Sequence, residues 1–146
     1  MEYFQKNFLT AEGRLNRWKY FKLLLILSLI ELVAVVILFM IFSDEFWNLT
    51  SVGETLTNII AIAALLPTYF LDVRRLHDFN QDDTLAKISA ALSFYFIFFI
   101  ENPENFIFMS ALDRVVCLAT FVLAMYILFK PGTRGENQYG ADPLGS

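Results

Sequence analysis

Four apolar blocks separated by short polar segments organise this chain, at about 20–42, 56–73, 85–100 and 112–129. Lys22 and Glu31 interrupt the first, Pro67 and Tyr69 lie late in the second, and Asp113 and Arg114 open the fourth. About 20 apolar residues, with about 17 as a lower bound, let a helix cross a hydrocarbon core about 30 Å thick. The first and fourth blocks meet that length. The second and third are short, and cross if Thr55 and Asn58 sit at the interface and Lys87 extends its ammonium back to the headgroups. The pattern predicts an all-α polytopic membrane protein: a single domain over residues 1–146 with four transmembrane helices.

Composition agrees with this. Charged residues make up 18% of the chain and are confined to a few segments, too few for the polar surface of a soluble domain. The first block is too long for the apolar core of a signal peptide and has no small-residue cleavage site after it, so it is expected to remain as the first span. Cys117 is the one cysteine, which precludes an intrachain disulfide.

Charge distribution orients the bundle. Lys6, Arg14, Arg17, Lys19 and Lys22 precede or open the first span; Arg74, Arg75 and Lys87 lie between the second and third; Lys130 and Arg134 follow the fourth. Only Arg114, of eleven cations, falls on the other side, among Asp44, Glu45, Glu54, Glu101, Glu104 and Asp113. Cationic loops stay in the cytoplasm, so both termini are expected there. Trp18 and Tyr20 suit one interfacial aromatic belt and Trp47 the other. Residues 106–109 read either as an outer interfacial turn or as part of a longer tilted span. Tyr3, Phe4, Phe8 and Leu9, set among polar residues, suit a short interfacial N-terminal helix, with Gly13 as the bend into the first span.

Three polar stretches, all on the cationic side, differ from ordinary connectors. They are Gly13-Arg14-Leu15-Asn16-Arg17-Trp18-Lys19-Tyr20, then Arg74-Arg75-Leu76-His77-Asp78, then a turn-rich tail from Pro131 to Pro143. In this order and at these span ends they resemble the bacterial inner-membrane family known as domain of unknown function 805. Its motifs look like GR-x-x-R-x-x-[WY], RRLHD and G-T-x-G-x-N-x-[FY]-G-x-D-P. The resemblance implies a fold and a bacterial inner-membrane location, but no activity. The chain departs from it at Phe79-Asn80-Gln81-Asp82-Asp83-Thr84-Leu85, where relatives look as if they use small residues and then Gly-Trp.

If the second helix continues past Leu71, Arg74 and His77 are neighbours at i, i+3, as are Arg75 and Asp78, and Leu76 faces the bundle. The arginines then either anchor the helix end against Asp72, Asp78 or the tail, or present a guanidinium fork to a headgroup or phosphate. Arg74, Arg75, His77, Asp78, Arg14 and Arg17 are the contact candidates. His77 and Cys117 lie in different layers, so no zinc set forms; Asp78, Asp82 and Asp83 are the carboxylates a harder cation would need. Gly135 and Gly140 have the spacing of a phosphate loop but lack its lysine and preceding strand. Turns at Gly132, Gly135 and Gly140 instead let Asn137, Tyr139 and Asp142 fold back as a cap on the cytoplasmic face, against Arg74, Arg75 or the Arg14/Arg17 pair.

Glu31 lies near the middle of the first span, where an ionisable group is costly and functional by default. With no cation at its depth, it is expected to be neutral or to hydrogen bond to Ser93 or Thr120. The leading functional reading is a non-enzymatic scaffold, regulator or anionic-lipid-interacting module with no cofactor or metal. Membrane lipids are its partners, with a homo-oligomer or a second membrane protein as further options. The alternative is a small oligomeric transporter or channel using Glu31. A third is a phospholipid-processing enzyme with His77 as base and Arg74 or Arg75 on the phosphate, although no nucleophile–base or paired-acid motif accompanies them. Nucleic-acid binding is excluded because the few cations are interfacial and matched by nearby acids. A reporter active only outside the cytoplasm is expected to stay silent when fused after Ser146; activity there would reverse this topology.

Overall fold

A computed structural model describes residues 2–48, 50–100 and 109–145, with side chains described outside 42–51 and 54. The outer acids Asp44, Glu45, Glu54, Glu101 and Glu104, the belt residue Trp47 and the turn expected at 106–108 fall outside these residues and side chains. The regular elements among the described residues are all helices: α1 (Glu2–Phe8), α2 (Arg17–Asn48), α3 (Thr50–Asp78), α4 (Thr84–Phe99) and α5 (Ala111–Phe129).

Among the described residues, three segments are long and apolar enough to cross a membrane: Arg17–Ile41, Thr55–Asp78 and Ala111–Phe129. The apolar helix α4, with 16 residues, measures about 24 Å at 1.5 Å per residue and falls short of a full core. On α2, Leu25, Ile26, Leu29, Ile30, Leu32 and Val33 are all exposed. Such a helix, apolar around its whole circumference, is suited to hydrocarbon rather than to water.

The element boundaries have local causes. Asn16 caps α2, its side-chain oxygen accepting the Lys19 N–H at 2.9 Å. Ser110 caps α5 in the same way, accepting the Asp113 N–H at 3.1 Å. Helix α3 passes through Pro67 and outruns the apolar block, so that Arg74 to Asp78 form its last turn. It then stops in a Schellman arrangement: Gln81 N–H donates to the Leu76 carbonyl at 3.0 Å and Asn80 N–H to that of His77 at 3.1 Å. Asn80 has φ +59°, and asparagine is among the few non-glycine residues that tolerate this left-handed region. The turn that departs from the family pattern is thus closed by Asn80.

The buried core is concentrated at one end of the bundle, where α2 and α4 begin and α3 and α5 finish. Leu15, Leu71, Leu76, Ala86 and Ile127 meet there, each at most 1% exposed. Phe8 of α1 packs into the same cluster, stacked on Phe4 with ring centroids 4.9 Å apart. This is the cation-rich end. Toward the other end, the Tyr95 hydroxyl donates to Asp113 at 2.9 Å and ties α4 to α5. Because Ala86 has no exposed surface, Ala86→Leu is expected to overpack the α3–α4 contact and cost about 1–3 kcal/mol, read as a lower unfolding midpoint in detergent micelles.

Candidate functional site

The site is a network of buried charge built on the last turn of α3. The Asp78 carboxylate lies between two guanidiniums, with Arg75 Nη1 at 2.5 Å and Arg14 Nη2 at 3.2 Å. Arg75 is fully buried and Asp78 is 4% exposed. The i, i+3 spacing along α3 delivers Arg75 to Asp78. Arg14 comes from the connector ahead of α2, which turns at Gly13 (φ +80°) and is pinned by Leu15 N–H donating to the Arg74 carbonyl at 3.0 Å.

Much of what remains on these arginines goes to backbone carbonyls. Arg75 Nε donates to Ile127 at 3.0 Å, Nη1 to Leu15 at 3.4 Å, and Nη2 to the Lys130 carbonyl. Arg14 donates to the carbonyls of Gly135 and Thr133, each at 2.5 Å, and to that of Asp78 at 3.3 Å. Arg74 Nη1 reaches the Asn7 carbonyl at 3.0 Å, which secures α1. Carbonyls in the last turn of a helix have no partner within it. The ends of α3 and α5 are therefore closed from outside by arginine.

The tail completes that closure. Thr133 donates to the Asp78 carbonyl from its N–H at 2.8 Å and from its hydroxyl at 3.0 Å. Asn137 Nδ2 donates to the His77 carbonyl at 2.9 Å, and a bridge between Asn137 and Gly140 folds the loop on itself. Asp142 accepts the Gly135 N–H at 2.9 Å. Tyr139 lies flat on His77, with centroids 3.7 Å apart and planes within 6°. The Nδ1 of His77 is 3.2 Å from the Gly13 carbonyl; since a carbonyl only accepts, this contact places a proton on Nδ1. Gly132 passes so close to Asp78 that a Cβ there would lie 2.7 Å from its Cγ.

Arg14, Arg74, Arg75, His77, Asp78, Gly132, Gly135, Asn137, Tyr139, Gly140 and Asp142 therefore come together in one cluster. Two of the residues singled out in the sequence do not join it. Arg17 is exposed and makes no hydrogen bond or ion pair among the described residues. Glu31 is half-buried on α2, likewise without such a partner among the described residues, and the hydroxyl expected from Thr120 goes to Val116 of its own helix at 2.8 Å. Of the carboxylates considered for a cation, Asp78 is taken by the guanidiniums. Asp83 pairs with Lys87 at 2.8 Å, and that hydrogen bond holds its carboxyl below the usual carboxylate range.

Asp72, offered by the sequence as a partner for the arginines, is bonded to Tyr20 instead. Asp72, 3% exposed, accepts the Tyr20 hydroxyl at 2.7 Å, joining α2 to α3. Its signal was positional: Asp72, Leu76 and Phe79 form an i, i+4, i+7 stripe on the inward face of α3. Thr133 was missed, because nothing in its immediate sequence indicates a distant carbonyl.

The fold and this cluster define an all-helical membrane protein with a polar cap knitted from three separate stretches at one bundle end. The family model described as "Protein of unknown function (DUF805)" matches residues 8–141, and the chain belongs to that family. Neither a curated protein nor a solved structure matches it.

Asp78→Ala strands two buried guanidiniums and is expected to cost about 3–5 kcal/mol, while Gly132→Ala costs about 1–3 kcal/mol because the pinned carboxylate cannot withdraw. In a double-mutant cycle, read by unfolding in micelles, Gly132→Ala should lose most of its cost once Asp78 is alanine. Additive losses would show that the two positions act independently.

Proposed function

We propose that the chain is a non-enzymatic module of the bacterial inner membrane, a scaffold, regulator or anionic-lipid-interacting protein. It crosses the bilayer four times, with both termini and the motif-built cap in the cytoplasm. The observation that carries this reading is the Arg14–Asp78–Arg75 unit. It draws on the first two motifs, takes acceptors from the third, and directs their polar chemistry into holding the helices together. Arginines bonded to the carbonyls of Leu15, Ile127 and Gly135 do not present a phosphate fork to a reacting substrate. His77, stacked beneath Tyr139 with Nδ1 on Gly13, is oriented by structural contacts rather than as a base.

Two features support α4 as the fourth span. It starts at the cation-rich end and its Tyr95 meets Asp113 near the start of α5, so α5 needs α4 to carry the chain across. The Asp83–Lys87 pair at its first turn is exposed and adds polar reach at the interface, as a short span requires. The cytoplasmic orientation follows from the ten cations at the capped end.

A second reading, a small oligomeric transporter or channel, draws on Glu31, half-buried in α2 with no hydrogen-bond partner among the described residues. Four short helices enclose no pore alone, so this reading requires further copies.

Truncation after Lys130 removes the Thr133 and Gly135 acceptors and exposes the α3 terminus. It is expected to lower the unfolding midpoint by about 5–10 °C and to open the Arg14–Arg17 segment to trypsin. An unchanged midpoint and cleavage pattern would refute the cap. Ion flux in liposomes that disappears with Glu31→Gln would favour the transporter.

A further inference from the structure

Two adjoining cavities lie beside the cap, and the motif network uses neither of them. One, of about 440 Å³, is of mixed character, bounded by the polar residues Asn16, Arg17, Thr133, Arg134 and Asp142 and by Pro131 and Leu144. The other, of about 460 Å³, is apolar and is bounded by Phe21, Leu128 and Phe129. Arg17 and Trp18 belong to both walls. Since Arg17 opens α2 and Phe129 closes α5, both cavities lie at the headgroup level of the α2–α5 cleft.

The charges around the first cavity are unequally engaged. Asp78 is neutralised by two guanidiniums, and Asp142 accepts the backbone N–H groups of Gly135 and Leu144, each at 2.9 Å. Arg17 and Arg134 are exposed and make no hydrogen bond or ion pair among the described residues. Lys22 sits 5.1 Å from the Trp18 ring and adds a third cation nearby. The apolar side faces outward: Trp18 is 65% and Phe129 64% exposed, and Trp18 stacks on Phe21 with centroids 5.9 Å apart. A cationic cup that opens into an aromatic groove has the shape of an amphiphile. A soluble anion would leave the groove uncovered, and a zwitterionic lipid would bring its own headgroup cation into a site already holding two guanidiniums.

We propose that this cleft binds one anionic glycerophospholipid, its phosphate held between Arg17 and Arg134 and an acyl chain laid along Phe21, Leu128 and Phe129. Guanidinium suits this role because its planar fork matches two phosphate oxygens. The inference rests on the membrane-spanning reading above and names the ligand within it. It transfers headgroup contact from Arg74 and Arg75, which the cap consumes, to Arg17 and Arg134, which it leaves free.

Trp18 supplies the readout. The chain has two tryptophans, so in a Trp47→Phe background the fluorescence comes from Trp18 alone. The protein is reconstituted into phosphatidylcholine nanodiscs carrying equal small fractions of either dibrominated phosphatidylglycerol or dibrominated phosphatidylcholine. Bromine quenches indole at contact, so the two series give a relative association constant. A preference for phosphatidylglycerol on the order of tenfold is expected from two interfacial arginines. It should fall below about twofold in Arg17→Gln/Arg134→Gln, be intermediate in Arg134→Gln, and persist in Lys19→Gln, whose cation lies outside the cavity walls. Equal quenching by both lipids overturns the proposal. So does a preference that survives the double substitution, which would mean diffuse attraction to the basic rim. Displacement by millimolar glycerol 3-phosphate would reassign the cup to a soluble anion, and absence of quenching by either lipid would mean that another copy of the chain covers the groove. Neither guanidinium supports the cap, so the double variant should melt as the parent does. No lipid preference in the parent protein, with the truncation effect intact, would therefore sink this inference alone and leave the cap standing.

Discussion

One carboxylate holds this architecture together. Asp78 stands where the last turn of α3 meets the connector entering α2 and the tail leaving α5, and it pairs with Arg75 from its own helix and Arg14 from the connector. Charges this deeply buried attract strongly but are costly to desolvate, so the balance depends on how completely each group is bonded. Here both guanidiniums find further acceptors in backbone carbonyls. Only Arg14 Nε and Arg74 Nε are left as buried side-chain polar atoms without a hydrogen bond among the described residues. The cluster works as a fastening because its surplus donors go to groups that would otherwise be orphaned.

That use of the surplus explains why the polar stretches sit at one end. In a bundle of alternating direction, α3 and α5 both finish where α2 and α4 begin. Two sets of final-turn carbonyls therefore converge in a poorly hydrated layer, where an unpaired carbonyl costs kilocalories. Arginine is suited to this place: it carries five donors in a rigid fork, and its charge complements the negative end of the helix dipole. Thr133, Asn137 and the Asn80 turn supply what the arginines do not reach.

The periodicities that identify helices are visible in single segments, and so α2, α5 and the helical phase of Arg74 to Asp78 could be read from the chain directly. The pairing of Arg75 with Asp78 follows from that phase alone. The contacts of Arg14 could not be read in the same way, because its acceptors are backbone carbonyls and a carbonyl has the same chemistry at every residue. The adjacent arginines suggest themselves as partners of Asp72, and its position on the Leu76–Phe79 stripe marks it as inward without indicating that Tyr20 of another helix answers it. Of the two expectations for Glu31, a neutral acid or a hydroxyl partner, only the Thr120 partner falls: a threonine hydroxyl in a helix can return to its own backbone four residues earlier, as Thr120 does, and is then unavailable to a neighbouring span.

The reach of Arg14 also sets an order for biogenesis. Its shortest carbonyl contacts lie 119 and 121 residues further along the chain. At translation rates of about 5–20 residues per second, the ribosome delivers those acceptors roughly 6–24 s after Arg14 itself. Arg14 waits out that whole interval without these acceptors, and the α3 terminus about the second half of it. The latch on α3 therefore closes only after residues 133–140 have been made, and the contacts of Arg14 are among the last in the bundle to form.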